Sequence, residues 1–268
     1  MQKKTADAKR GAASEKGSAA SEVSSKVKAV TPEAAEAKVS MEKAAAPAVV
    51  KGRLAVVIDD AGYDLSSQRI YEGLGIPLTL AVMPNQSATG TAAAEWASHG
   101  LEVILHQPME SISGEAMERT AILTSMSDEE IRTVLTRSLR QVPQAIGMNN
   151  HQGSKATADG RVMAVVMREM KNRGLFYLDS RTNQASVGAS TARAYGVPAV
   201  SNELFIDNST DEDAIRSMIR KGADIALRDG HAVIIGHCRP HTAAAFSSMV
   251  GELKSMGIEF IFVSSLVH

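Results

Sequence analysis

Short apolar runs recur along the chain from residue 51 onward, each closed by a polar or turn-forming residue. Residues 54–58 (Leu-Ala-Val-Val-Ile) form a continuous aliphatic run without alternation, the pattern of a strand buried on both faces. Residues 78–82, 101–105, 175–178, 232–235 and 258–263 read the same way, with 146–148 and 199–200 as weaker candidates. Helical patterns lie between them. Ser127 and Glu130 make a capping box ahead of Ile131, Val134, Leu135 and Leu139 at helical spacing. Residues 210–213 (Thr-Asp-Glu-Asp) open a second helix, with Ile215, Met218 and Ile219 on one face. Residues 159–173 predict a third, whose Val and Met stripe belongs to a core. Roughly eight βα units predict an α/β fold, either a closed (β/α) barrel or an open doubly wound sheet. Both gather the loops that follow the strands at one end of the sheet, and chemistry is expected there.

The first 50 residues break this pattern. They hold 14 Ala but no Leu, Ile or aromatic residue, with 9 basic against 6 acidic side chains. Such a segment buries too little area to offset chain entropy, so residues 1–50 are expected to be a disordered tether and 51–268 the folded domain. The whole chain has a formal net charge of −1, which argues against a nucleic-acid-binding surface. Cys238 is the single cysteine, so intramolecular disulfides and cysteine-built zinc knuckles are excluded. No apolar stretch reaches the length of a transmembrane helix, and no apolar leader precedes the Ala-rich segment.

The polar residues that close the apolar runs are the chemically interesting ones: Asp59-Asp60, His106, Asn149-Asn150-His151, Asp179-Ser180 and His237. Two carboxylates directly after a buried strand need positive charge beside them, and a divalent metal supplies it. Neighbouring strand residues face opposite sides, so one Asp is expected to bind metal and the other to stay free as a base. Pro108 is expected to stop its strand just after His106. Gly153 permits a tight turn after His151, whose imidazole Asn150 is placed to orient. Two His and one Asp suit zinc or a similar divalent ion, with room left for water. His237 reads as a fourth ligand or a proton donor, and Asp179 as a residue holding an imidazole in one tautomer. Arg181 is expected to pair with an acid or contact substrate, Asp207 to play a weaker supporting role, and Cys238 to be an inert neighbour.

The segments Ile58-Asp-Asp-Ala-Gly62, His106-Gln-Pro-Met-Glu110, Asn150-His-Gln-Gly-Ser154, Leu178-Asp-Ser180 and Ile235-Gly-His237 together resemble the divergent polysaccharide deacetylases, a branch of the NodB-like carbohydrate esterases. The resemblance runs from Arg53 to His268 with the motifs in order. It implies a distorted (β/α) barrel of seven to eight strands. It implies a divalent metal, zinc first, on Asp60, His106 and His151, with Asp59 as general base and His237 as general acid. Asp179 belongs to the catalytic group in this reading, and Asn150, Ser154, Ser180, Arg181 and Asp207 bind substrate or support the site. The implied substrate is an acetylated carbohydrate, N- or O-linked, and the implied location is the periplasm or cell envelope. The alternative is an envelope protein that binds a glycan or partner on the same fold with little or no turnover. Gln152, Cys238 and the Asn202-Glu203 region depart from the family's usual residues, and two His 45 positions apart replace the compact His-x-x-x-His of ordinary deacetylases.

Overall fold

The computed structural model describes residues 50–113 and 117–268, so the tether expected over residues 1–50 lies, Val50 apart, outside the described residues. Among the described residues nine strands are formed: β1 (Gly52–Ala61), β2 (Thr79–Val82), β3 (Glu102–Met109), β4 (Gly147–Gln152), β5 (Phe176–Asp179), β6 (Ala199–Ser201), β7 (Leu204–Phe205), β8 (His231–His237) and β9 (Ile258–Ile261). Seven α-helices connect them: α1 (Ser66–Glu72), α2 (Thr89–Ser98), α3 (Asp128–Gln141), α4 (Gly160–Arg173), α5 (Gly188–Tyr195), α6 (Glu212–Asp229) and α7 (Pro240–Met256). The strands pair in parallel in the order β6-β5-β4-β3-β2-β1-β8-β7, with β9 added to the first half of β1. The expected distorted barrel is thus a curled half-barrel of eight parallel strands ringed by helices. One chain segment marks its opening: β6 pairs with β5, and three residues later β7 pairs with β8.

Alternation along the strands divides the core in two. Leu54, Val56 and Ile58 of β1, with Leu80, Val103, Leu105, Met148, Tyr177 and Ile234, pack outward against the helices. Ala55 and Val57, with Ala81, Ile104, Leu178, Val233 and Ile235, fill the concave interior, which Val263 and Leu266 complete. Both faces of β1 are therefore dry, and this explains its unbroken aliphatic run. The capping box of α3 forms as expected, with the Ser127 side chain accepting from Glu130 N and the Glu130 side chain accepting from Ser127 N. Asp211 caps α6, and Met163, Met167 and Met170 of α4 are buried.

One expectation fails. Pro108 does not end β3, which runs on to Met109 with Pro108 paired beside His151. β2 has already stopped at Val82, opposite Leu105. On the vacated edge the Pro108 carbonyl accepts from Ile122 N, so the ring sits where no neighbouring strand asks for an N–H. The strand thereby carries His106 within its length, paired with Asn149 of β4.

β1 meets α6 so closely that a Cβ on Gly52 would lie 2.6 Å from the carbonyl oxygen of Ala226. Gly52→Ala must push backbone apart and is expected to cost about 1–3 kcal/mol in urea unfolding. Gly251→Ala, on open space in α7, is expected to be neutral or to stabilise by up to about 1 kcal/mol in the same assay.

Candidate metal centre

The interior-facing positions continue past the apolar layer to the C-terminal strand ends. After Ala55 and Val57 comes Asp59, after Ile104 comes His106, and after Val233 and Ile235 comes His237. On β4 the corresponding positions are Asn149 and His151. Period-two alternation alone thus aims four strands' polar ends into one recess of about 260 Å³. Asp59, Asp60, His106, Asn150, His151 and His237 line it, joined by Gln152, Thr182, Phe205, Asn208 and Arg239.

Asp60 is the exception to alternation. The expectation that it faces away from Asp59 is overturned: the β1–β2 register shifts between Ile58 and Ala61, and Asp60 takes a left-handed φ of 60°. Both carboxylates therefore meet the same imidazole. His106 Nε2 lies 3.5 Å from Asp59 Oδ2 and 3.4 Å from Asp60 Oδ1. Gln152 and Arg181 also have positive φ, at the ends of β4 and β5. Strained backbone is concentrated on this rim.

Asp60 Oδ1, His106 Nε2 and His151 Nδ1 form a nearly equilateral triangle. Its sides are 3.4 Å from Asp60 to His106, 3.0 Å from Asp60 to His151 and 3.3 Å between the two nitrogens. Ligand atoms around a tetrahedral zinc, at about 2.0–2.1 Å from it, stand about 3.3–3.4 Å apart. Asp60 Oδ1 is buried and has no partner in hydrogen-bonding geometry.

The surrounding hydrogen bonds decide what the triangle can hold. Asn149 Nδ2 donates to Asp59 Oδ1 at 2.8 Å, which turns Asn149 Oδ1 toward His106 Nδ1 at 2.7 Å. That oxygen only accepts, so His106 Nδ1 carries a proton and donates it. In the neutral ring Nε2 is then a bare lone pair aimed at the triangle. A proton on His151 Nδ1 can serve one of the remaining acceptors; a divalent cation serves all three. The donor set and spacing fit a borderline metal such as zinc, with a coordination position left for water.

His237 ends β8 directly beside Asp59, its register partner on β1. Its Nδ1 is 2.8 Å from Asp207 Oδ1, while Asp207 Oδ2 accepts from His237 N at 2.8 Å and from Thr242 Oγ1 at 2.6 Å. The Phe205 ring stacks on the imidazole, 6.1 Å between centroids and 14° between planes. Nδ1 is committed to Asp207, so Nε2 is the nitrogen left for a ligand. Asp179, expected to hold one of the imidazoles, does not do so. Asp179 lies on the helix-facing side of β5 and accepts instead from Arg181 N, Ser186 Oγ and Ala189 N, organising the loop into α5.

The other sequence candidates lie at graded distances from the chemistry. Asn150 does not orient His151: its Oδ1 accepts from Tyr177 Oη and Ser180 N, and its Nδ2 donates to the Gln152 carbonyl, tying β4 to β5. Ser154 Oγ accepts from Ile112 N and pins the loop after β3. Ser180 is buried with its Oγ unpartnered and does not line the recess. Arg181 is exposed and also lies outside it. Asn149 was placed on the rim without a role, and Arg239 was missed. Asn149 follows from alternation once His151 is taken as facing inward; Arg239, two residues past His237, gives no apolar or motif signal. Burial pushes the Cys238 thiol up to about 12, so it is not a nucleophile.

Charge at the site is strongly coupled. Burial raises the Asp59 carboxyl above its ordinary value even though His106 and His237 pull it down. Burial also opposes ionisation of Asp60, but the two imidazoles outweigh it and hold this carboxyl far below the usual range. Burial would lower His237, yet the Asp207 hydrogen bond and charge, with Asp60 and Asp59 behind them, raise it above 6.5. The same imidazole overcomes burial to hold Asp207 below 3.8. His237 therefore stabilises the fold fully below pH 6.5 and loses that contribution as pH rises through its folded value. Asp207 stabilises fully above pH 3.8 and loses its contribution as pH falls through its folded value. NMR titration of the metal-free protein is expected to find His237 titrating above 6.5, and Asp207→Asn is expected to move it downward. The substitution should cost about 1–3 kcal/mol of stability near pH 6.

Comparison with known proteins agrees with this architecture. An uncharacterized protein of Escherichia coli, YibQ, is 32% identical over 220 residues, covering 82% of this chain and 69% of that one. The crystal structure of an uncharacterized Agrobacterium tumefaciens protein, ATU2773, superposes with a TM-score of 0.77 at 23% identity, over 82% of this chain and 90% of that one. A family 4 acetyl xylan esterase from Clostridium thermocellum, solved with cobalt, shares the fold at a TM-score of 0.51 and 15% identity, over 80% of this chain and 89% of that one. So does a CE4 family pseudoenzyme from Bacillus anthracis, at 0.51 and 13%, over 82% and 69%. The sequence profile of one family spans residues 56–267, every strand from the middle of β1 onward, and on that match the chain belongs to the divergent polysaccharide deacetylases.

Proposed function

We propose that the chain is a metal-dependent hydrolase that removes acetyl groups from a carbohydrate of the cell envelope. The observation that carries this reading is the triangle of Asp60, His106 and His151, with Asp59 and His237 side by side on β1 and β8 in the same recess. Asp60, His106 and His151 would hold the metal, zinc by choice of donors. When bound, it lowers the pKa of a water and polarises the acetyl carbonyl.

The chain's own groups do the rest. Asp59 Oδ1 is engaged by Asn149, leaving Oδ2 beside His106 as the free oxygen that accepts the attacking water's proton. Its enclosure, with 2% of its surface exposed, raises its proton affinity above that of an ordinary aspartate. His237, held through Nδ1 by Asp207, presents Nε2 to the leaving amine or alkoxide and donates a proton there. Asp207 stabilises the imidazolium before transfer and keeps the ring from turning. Phe205 covers one ring face, so the proton is delivered from a fixed edge.

A second reading has one observation behind it: a CE4 fold in Bacillus anthracis is a pseudoenzyme. On that reading this chain grips a glycan in the same recess without turning it over. Acetate release from acetylated glucosamine oligomers and peptidoglycan fragments by zinc-loaded protein separates the two. The proposal expects acetate. Glycan binding with no acetate across the panel selects the second reading.

Single substitutions sort the roles. His106→Ala or Asp60→Ala should abolish zinc binding, read by chelator competition, and acetate release together. Asp59→Asn should retain zinc and lose about 10²–10⁴-fold in kcat. Full activity in Asp59→Asn would overturn the base assignment.

A further inference from the structure

The recess has one permanent cation in its lining, and the proposed reaction of a neutral sugar gives it nothing to do. Arg239 follows His237 by two residues and lies at the start of α7, with Pro240 after it in the first helical turn. Its guanidinium Nη2 stands 3.6 Å from Asp60 Oδ2, close enough to feel the charge but beyond a hydrogen bond. Among the described residues this is its only ion pair, and its side chain makes no hydrogen bond. The side chain is 47% exposed, so its donors open on the mouth of the recess.

The pairing with Asp60 is also one that a bound cation weakens. Asp60 Oδ1 faces the two imidazoles and Oδ2 faces Arg239. A divalent ion held by Asp60 would take up the charge that the guanidinium now faces and leave Arg239 without its carboxylate partner. A ligand carboxylate would replace that partner in a charge-assisted contact, roughly twice as strong as one to a neutral sugar hydroxyl. Asn208, Thr182 and Gln152 line the same recess and supply uncharged hydrogen bonds around it. Residues 51–268 carry 24 acidic against 20 basic side chains, so a polyanion gains no long-range attraction to this domain. Recognition by one guanidinium at short range suits one carboxylate, which Arg meets in a planar two-point contact.

We infer that Arg239 selects acetylated sugars that carry a carboxylate next to the acetyl group, either on an ether-linked lactyl arm or at C6 of the ring. The inference rests on the deacetylase reading for what happens after binding, but not for binding itself.

The test uses the zinc-loaded full chain and measures both binding by calorimetry and acetate release. The probes are a disaccharide containing N-acetylmuramic acid, one containing an N-acetylhexosaminuronic acid, and the methyl ester of each. Esterification removes the charge and keeps the shape. The wild type is expected to bind one of the two acids roughly ten- to a hundredfold more tightly than its ester, as a charge-assisted contact requires. Which acid it prefers locates the carboxylate. Arg239→Gln should bring the acid-to-ester ratio close to one, and Arg239→Lys should restore part of it. Where acetate is released, the preference should appear in KM more than in kcat. Equal binding of acids and esters by the wild type would overturn the inference. So would an unchanged ratio in Arg239→Gln, which would assign the guanidinium to Asp60 alone. Charge-selective binding without acetate would leave the inference standing and remove the deacetylase reading.

Discussion

Asp60 Oδ1, His106 Nε2 and His151 Nδ1 converge within 3.4 Å of one another, and among the described residues no Lys or Arg side chain comes between them. Everything else at the mouth of the half-barrel serves that convergence. Asn149 is the pivot. By donating to Asp59 and accepting from His106, it fixes one carboxylate oxygen, one amide orientation and one tautomer through two hydrogen bonds. A change at any member of this chain reaches the others. Replacing Asn149 with a residue that cannot both donate and accept frees the His106 ring to present a proton where a lone pair is needed.

The fold makes the convergence affordable. β1 lies between β2 and β8, with both faces packed, and delivers Asp59 at the end of a dry run. β3 passes through Pro108 and keeps His106 within the strand, in register with Asn149 of β4. The bulge at Asp60 turns a second carboxylate into the recess at the cost of a left-handed residue, a conformation that Asp tolerates better than most. Beside Asp59, the segment that follows β7 brings Asp207 alongside β8, and Ile206 N donates to the Ile235 carbonyl just before it. The His106 and His237 imidazoles are thus each held through Nδ1, by Asn149 and by Asp207.

Much of this was legible from the chain. The aliphatic runs predicted the main strands, and the polar residue closing each run marked the rim. Strand ends carry Asp59, His106, His151 and His237 because alternation continues past the apolar layer. What could not be read has physical reasons. A bulge is a backbone event that alternation rules do not contain, so Asp60 was expected on the wrong side of Asp59. β4 spends its inward positions on Gly147, Asn149 and His151, leaving no apolar run to set its phase, and the orienting amide was sought at Asn150 instead of Asn149. Asp179 sits at a strand end like the others, but on the helix-facing side, which its position in the sequence does not declare. Pro108 reads as a stop unless the early end of β2 is known. Arg239 belongs to no run and no spacing; only its distance to Asp60 singles it out.

Whether these three side chains share one cation is read from crystals grown with zinc and measured on both sides of the zinc absorption edge. A single strong anomalous peak is expected, bonded to Asp60 Oδ1, His106 Nε2 and His151 Nδ1, and absent from His106→Ala crystals prepared in the same way. A map with no peak in the recess, or with zinc bound elsewhere while the three side chains turn apart, would contradict it.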